Sequence, residues 1–256
     1  MVDENTNNLI AEWLKDYLES SGLACFIVGV SGGIDSAVVS TLCANTGMPV
    51  WVLNIPIHSQ SGNTNLSQRQ CDWLTENYQN VQSATVDMTT AFDSYAEAVL
   101  DHIEANDLAF ANAKSRLRMM LLYQYATTHH GLVVGTGNKV EDFGVGFYTK
   151  YGDGGVDISP IADLTKTQVR HLACNMGILN EIIEAPPTDG LWEDGRTDEQ
   201  QIGATYEELE WAMDYIDNNR TEPPTSRQQT VLKIFMDYRN TNGHKMTPIP
   251  VYRLDS

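Results

Sequence analysis

The hexapeptide Ser31-Gly32-Gly33-Ile34-Asp35-Ser36 is set between two segments of different periodicity, and it limits what the chain can fold into. Ala24 to Val30 (ACFIVGV) is short, apolar and β-rich, as a strand buried on both faces is. Ala37-Val38-Val39 and Leu42-Cys43 then follow at helical spacing and stop at Gly47. A strand, a tight glycine turn and a helix N-terminus leave several backbone N–H groups aimed at one spot, which favours an anion such as phosphate. Gly32 and Gly33 let the backbone approach that anion closely. Ser31 and Ser36 add hydroxyls, and Asp35 can hold a divalent cation beside the phosphates. The same letters also suit an ordinary strand-to-helix turn. The Lys-Ser/Thr ending of a Walker loop is missing, so the turn does not propose γ-phosphate transfer.

SGGIDS resembles the SGGxDS loop of the ATP-pyrophosphatases, which bind the leaving pyrophosphate while a substrate is adenylated. The 256 residues are enough for one α/β domain spanning 1–256, with an ATP-pyrophosphatase core at about 20–180. Sixteen Lys and Arg against 34 Asp and Glu leave a net charge of −18, which argues against a nucleic-acid partner. Anionic nucleotides must then be held by local donors and metal against an unfavourable field. Cys25, Cys43, Cys71 and Cys174 are scattered without metal-ligand spacing and read as reduced thiols. With no signal peptide and no long apolar run, a cytoplasmic protein with no membrane partner is expected.

Along the chain, an amphipathic helix through Leu9 to Leu18 ends near Gly22, and the first strand, turn and helix follow. Pro49–Pro56 is a second strand, and His58–Asn65 a polar loop at its C-terminal end. Leu66–Tyr78 is helical, Val81–Asp87 a third strand, and helices carry Phe92 to Ile103 and about Leu108 to His130. Gly131–Thr136 is a further strand. This alternation predicts a Rossmann-like, doubly wound, mostly parallel sheet with helices on both faces and ligands at the strands' C-terminal ends. Asn138–Ile158 is too irregular for a core element, and Leu164–Met176 is helical. Pro186–Gly203 is a long polar loop suited to a lid. Thr205 with Glu208 opens another helix, Ser226–Tyr238 is the last, and Gly243-His244-Lys245 begins an extended tail.

GTGNKVED, the Phe147–Asp157 block FYTKYGDGGVD, SPIADLTK, PPTDGLWEDGRTDE and His244-Lys245 follow one another as in ammonia-dependent NAD synthetases, which the chain resembles from near its N-terminus to its tail. The resemblance implies the adenine nucleotide α-hydrolase fold and a homodimer that uses Mg²⁺ as cofactor. It also implies conversion of nicotinic acid adenine dinucleotide, ATP and ammonia to NAD, AMP and pyrophosphate. By the same resemblance Gly29, Val30, Ser31, Gly32, Gly33, Ile34, Asp35, Ser36, Thr136, Lys166 and Thr188 bind ATP. Asp35 and Glu141 hold Mg²⁺. Arg116, Lys150, Asp157, His244 and Lys245 contact the dinucleotide, and Asp35, Asp157 and Lys166 are the catalytic groups.

Judged alone, several of these residues have plainer readings. Glu141 beside Asp142 could be a solvated loop pair, and one of Arg116 and Arg118 only a surface charge. Between Glu141 and Phe147 the chain carries one residue more than the family pattern, and Asn54 stands where some members place an arginine. A carboxylate needs activation before amidation, and no Ser or Cys lies in a nucleophile motif, so adenylation is the expected route. Asp157 is expected to bind or deprotonate ammonium. A single helix before the turn leaves no room for a glutaminase domain, so free ammonia is the expected nitrogen source. A tRNA thiolation enzyme would call for a basic face and paired cysteines, and a GMP synthetase core for a different block after Thr136. A non-catalytic nucleotide sensor need not keep Asp35, Glu141, Lys150 and Lys166 together.

Overall fold

The computed structural model describes residues 5–58, 66–188 and 195–254. Helix α1 (Thr6–Ser21) ends at Gly22, whose left-handed backbone (φ 69°) turns the chain into β1 (Cys25–Gly29). Helix α2 (Ile34–Asn45), β2 (Val50–Asn54), α3 (Leu66–Asn77), β3 (Val81–Thr85), α4 (Thr89–Leu100), α5 (Asp107–His129) and β4 (Gly131–Val134) follow. The four strands are parallel in the order β3-β2-β1-β4, and a parallel bridge from Val134 to Ile158 continues the sheet past β4. Because β2 and β4 lie on opposite sides of β1, the strand order reverses beside β1. A crevice opens there, outside the C-terminal ends of β1 and β4.

Alternation along β1 divides the core. Phe26 and Val28 face Leu14 and Leu18 of α1 and the apolar residues of α2, while Cys25 and Ile27 face Ala126 of α5. Both faces of the sheet are covered, which is why β1 is apolar at every position before Gly29. The three described buried cysteines, Cys25, Cys43 and Cys71, are free thiols, and Cys174 is exposed.

The second half departs from expectation in two places. Residues 138–158 are not merely irregular: Val140–Val145 forms a π-helix whose Val140 and Val145 are fully buried. They pack in a second core with Tyr206, Leu209 and Met213 of α9 (Tyr206–Asp217) and Val231 and Phe235 of α10 (Ser226–Met246). A π-turn takes up one residue more than an α-turn, so this stretch holds more chain per turn than a regular helix does. The last helix also runs past Tyr238 to Met246, so Gly243, His244 and Lys245 are helical rather than part of a tail. Gly243 weakens a helix locally, but anchors outweigh it: Asn242 Nδ2 donates to Val145 O (2.9 Å) and Lys245 Nζ to Gly146 O (3.0 Å) and Tyr148 O (2.8 Å).

Phe235 is fully buried and its ring closes over Gly144 of the π-helix. Phe235→Ala is expected to cost about 3–5 kcal/mol, read as a lower midpoint in urea denaturation.

Candidate active site

At the end of β1 the turn is held by its own hydroxyls. Ser31 N donates to Ser36 Oγ (3.1 Å), Gly33 N to Ser31 Oγ (3.2 Å), and Ser36 Oγ to Gly33 O (2.9 Å). Gly32 adopts φ 88°, and a Cβ there would stand 2.8 Å from Ser67 N, so only glycine fits. Gly33 is the N-cap of α2 and supplies no side-chain cap. The amides of Gly32, Ile34 and Asp35 have no acceptor among the described residues. These are the donors that an anion at a helix N-terminus satisfies.

Asp35, in the first turn of α2, points across the crevice. Its Oδ2 accepts from Lys166 Nζ at 2.5 Å, and the same ammonium lies 3.2 Å from Glu141 Oε1. Lys166 begins α6 (Lys166–Asn175), which Thr165 and Gln168 cap reciprocally, and its side chain is only 4 % exposed. Burial alone would push the lysine down, but Asp35 and Glu141 outweigh it and hold the ammonium above its ordinary range. Burial pushes the Asp35 carboxyl up to about 6, with Lys166 opposing and Glu141 adding to the rise.

Two residues that the sequence reading did not single out complete this cluster. Buried Asn138 accepts from Val140 N (3.1 Å) and Glu141 N (3.2 Å) through Oδ1, capping the π-helix, and donates to Asp35 Oδ2 at 3.5 Å. Tyr206, fully buried, donates its hydroxyl to Glu141 Oε1 at 2.5 Å, with Asp198 Oδ2 3.3 Å away. Its ring lies 4.7 Å from the Lys166 ammonium, within cation–π reach. Asp198 opens α8 (Asp198–Ile202), capped by Thr197, at the end of the stretch expected to be a lid. An asparagine three positions before Glu141 is the signal that could have revealed Asn138. A tyrosine at a helix start carries none.

Four of the residues assigned to the dinucleotide, Arg116, Lys150, His244 and Lys245, form a second group. Arg116 Nε donates to Lys150 O (3.3 Å), Lys150 Nζ to His244 O (2.7 Å), and Lys245 to the 146–148 backbone. The turn between them is folded by Asp153, whose Oδ1 accepts from Ser115 Oγ (2.6 Å) and Thr149 N (3.0 Å). Gly152 and Gly154 are required there, because a Cβ on either would collide with Ser115 or the Tyr148 ring. A cavity of about 180 Å³ adjoins this second group, lined by Gly135, Asp142, Tyr148, Asp153, Ser159 and Lys245.

The other expected residues lie apart. Asp157 is fixed against β4, accepting from Val133 N and Tyr123 OH at 2.8 Å each, and no hydrogen bond joins it to Lys166. Thr136 follows β4 by two residues, and Gly29 and Val30 lead from β1 into the turn. Thr188 donates to Arg196 O at 3.3 Å, and Pro187 beside it accepts from Asp198 N at 3.0 Å. Arg118 is no free surface charge, since its Nε donates to Ile55 O (3.1 Å) just beyond β2. Asn54, at the end of β2, is held by Ser67 and Gln68. Residues 59–65 and 189–194, within the expected loops, lie outside the described residues.

Mg²⁺ takes oxygen ligands and keeps one or two protein carboxylates alongside phosphate oxygens and water. Asp35 and Glu141 fit that pattern: both reach one point, and the buried Asp35 Oδ1 has no hydrogen-bond partner. Among the described residues no cluster of three ligating side chains exists, so the remaining ligands would have to come with the nucleotide.

Asp142 has a strongly displaced carboxyl. Burial, then the charges of Glu141, Asp153 and Asp35, push it up to about 8. A carboxyl raised in the fold stabilises below its unfolded value and loses that contribution as pH rises through the folded one. Asp142→Asn is therefore expected to raise Tm more at pH 8.5 than at pH 5, as read by calorimetry at the two values.

Comparison with known proteins agrees over nearly the whole chain. The NAD synthase family model matches residues 6–248. The NH₃-dependent NAD⁺ synthetase of Methanosarcina mazei is 33% identical over 254 residues, covering 96% of this chain and 98% of that one. That of Sulfolobus acidocaldarius is 39% identical over 257 residues, covering 96% and 89%. Among solved structures, the NMN synthetase of Francisella tularensis superposes with TM-score 0.87 at 28% identity, covering 99% of this chain and all of that one. The Burkholderia pseudomallei NAD⁺ synthetase superposes with TM-score 0.73 at 27% identity, covering 95% and 91%. The parallel sheet with its flanking helices is thus of the adenine nucleotide α-hydrolase type. Sheet order, glycine turn and relatives lead to one assignment: this chain belongs to the NAD synthase family, among the ammonia-dependent NAD synthetases that carry out the last step of NAD biosynthesis.

Proposed function

We propose that the chain activates the carboxylate of nicotinic acid adenine dinucleotide with ATP and amidates it with ammonia, releasing pyrophosphate and AMP. The observation that carries this reading is the meeting of Asp35, Glu141 and Lys166 across the crevice, beside the unpaired amides of the Ser31–Ser36 turn. A carboxylate oxygen attacking the α-phosphorus of ATP gives an acyl-adenylate and pyrophosphate. Ammonia then attacks the acyl carbon and loses a proton, and the acyl C–O bond breaks, its electron pair and oxygen leaving with AMP. The chain's part is to bring anions together and neutralise their charge. The turn amides take the departing pyrophosphate and Lys166 supplies a fixed positive charge. Bound Mg²⁺, held by Asp35 and Glu141, would supply charge neutralisation and orientation of the phosphates. No protein nucleophile is required, and burial pushes the Cys43 and Cys71 thiols away from reactivity.

The cavity lined by Lys245 suits the pyridine end of the substrate. Arg116, Lys150 and His244 are tied to one another beside Lys245, where they can hold the rest of the dinucleotide. Asp157, with both carboxylate oxygens already accepting, serves as a rigid anion near β4 that attracts ammonium. A homodimer is proposed from the family alone, with exposed Tyr95, Leu100, Leu108 and Met120 of α4 and α5 as apolar surface for it. A second reading is amidation of the acid mononucleotide, favoured by the close superposition on the NMN synthetase of Francisella tularensis. The higher identity of the NAD⁺ synthetase relatives favours the dinucleotide.

Incubation with ATP, Mg²⁺ and the acid dinucleotide is expected to release pyrophosphate, with AMP and NAD formed in equal amounts only when ammonium is added. ADP as the product would overturn the reading, and a higher kcat/KM on the acid mononucleotide would select the second one. Asp35→Asn is expected to lower kcat/KM by about 10²-fold or more, measured as pyrophosphate release. Asp157→Asn is expected to raise the KM for ammonium while leaving pyrophosphate formation intact. Unchanged amidation would remove Asp157 from that role.

A further inference from the structure

Lys166 stands where a metal ion would have to stand. Its ammonium is 2.5 Å from Asp35 Oδ2 and 3.2 Å from Glu141 Oε1, between the two carboxylates that the proposed function gives to Mg²⁺. A divalent ion at about 2.0–2.1 Å from those oxygens would crowd the ammonium, and two cations so close repel strongly in a largely buried site. The second oxygen of Asp35 is buried with no partner, so the pair has ligand capacity that the lysine does not use. The Tyr206 ring, 4.7 Å from the ammonium, gives the lysine a second contact that does not depend on the carboxylates. Tyr206 also fixes Glu141 through its hydroxyl, so the carboxylate stays in place if the ammonium leaves.

We propose that Lys166 is the resident counter-cation of the Asp35–Glu141 pair, that a divalent ion displaces it, and that the nucleotide phosphates then take up the freed ammonium. The inference rests on the metal assignment above and adds an exchange to it. A bare ion entering the pair strands a buried ammonium, which is costly, so it binds weakly. An ion arriving with ATP brings the anion that the lysine needs, so the two bind together and each raises the affinity of the other.

The test uses Mn²⁺ as the probe, its free concentration followed by electron paramagnetic resonance, with no nucleotide present. Lys166→Gln is expected to bind Mn²⁺ at least about tenfold tighter than the unaltered protein, whereas Asp35→Asn loses the site. Equal affinity of Lys166→Gln and the unaltered protein, with the site lost in Asp35→Asn, overturns the exchange but leaves the metal assignment standing. Equal binding by all three overturns the metal assignment itself. A second measurement uses the unaltered protein and does not depend on the variants folding. Acetylation of Lys166, followed by peptide mass spectrometry against exposed Lys15, is expected to speed up several-fold when Mn²⁺ alone is added. It is expected to slow again with Mn²⁺ and a non-hydrolysable ATP analogue. Labelling that ignores Mn²⁺ overturns the proposal.

Discussion

A single ammonium joins the two cores of this protein. Asp35 comes from the helix after β1, Glu141 from the π-helix, Lys166 from the start of α6, and Tyr206 from the start of α9. The first and third belong to elements packed on the sheet, the second and fourth to the core built by α9 and α10. Burying a lysine with two carboxylates is costly unless every charge finds a partner. The shared ammonium, the Tyr206 hydroxyl and the Asn138 side chain supply those partners. The strand termini therefore lie at fixed distances from groups far away in sequence, which a reaction between two anionic substrates demands.

Around the cavity the opposite polarity is used. The C-terminal turn of α10 offers a carbonyl to Lys150, and its own Lys245 reaches back to carbonyls at 146 and 148. A helix C-terminus carries partial negative charge and favours cations, so lysines collect there in a chain that is strongly acidic overall. Arg116, Lys150 and Lys245 are thereby gathered at this helix end, apart from the Asp35–Glu141 pair that Lys166 bridges.

How much of this could be read from residue order depends on how local the cause is. The strand, turn and helix around Ser31–Ser36 follow from periodicity and glycine, the helix end at Gly22 from glycine, and the capping box at Thr205 from a Thr and a Glu three residues apart. The grouping of Arg116 with Lys150, His244 and Lys245 was visible only through family resemblance, since the pairings span as many as 94 residues. Helix α10 passes Gly243 because side chains at 242 and 245 bind a distant loop, which local propensity does not register. Tyr206 was missed because nothing beside it in the chain distinguishes a packing tyrosine from one that holds a carboxylate. The irregular composition at 138–158 concealed a buried turn for a related reason: its two core valines are five residues apart, a spacing that fits a π-turn rather than an α-helix or a strand.

That wide turn is also a hinge of sequence register. In an α-helix each residue advances the face by about 100°, so an added residue would swing everything beyond it away from its partners. Here the wide turn of Val140–Val145 is held between the Asn138 side chain, which accepts from Glu141 N, and the left-handed Gly146. Glu141 and the Thr149–Gly155 loop can therefore each keep their own alignment. The wide turn is thus a form of mechanical decoupling, in which the chain on one side of the crevice is held to its partners independently of the chain on the other.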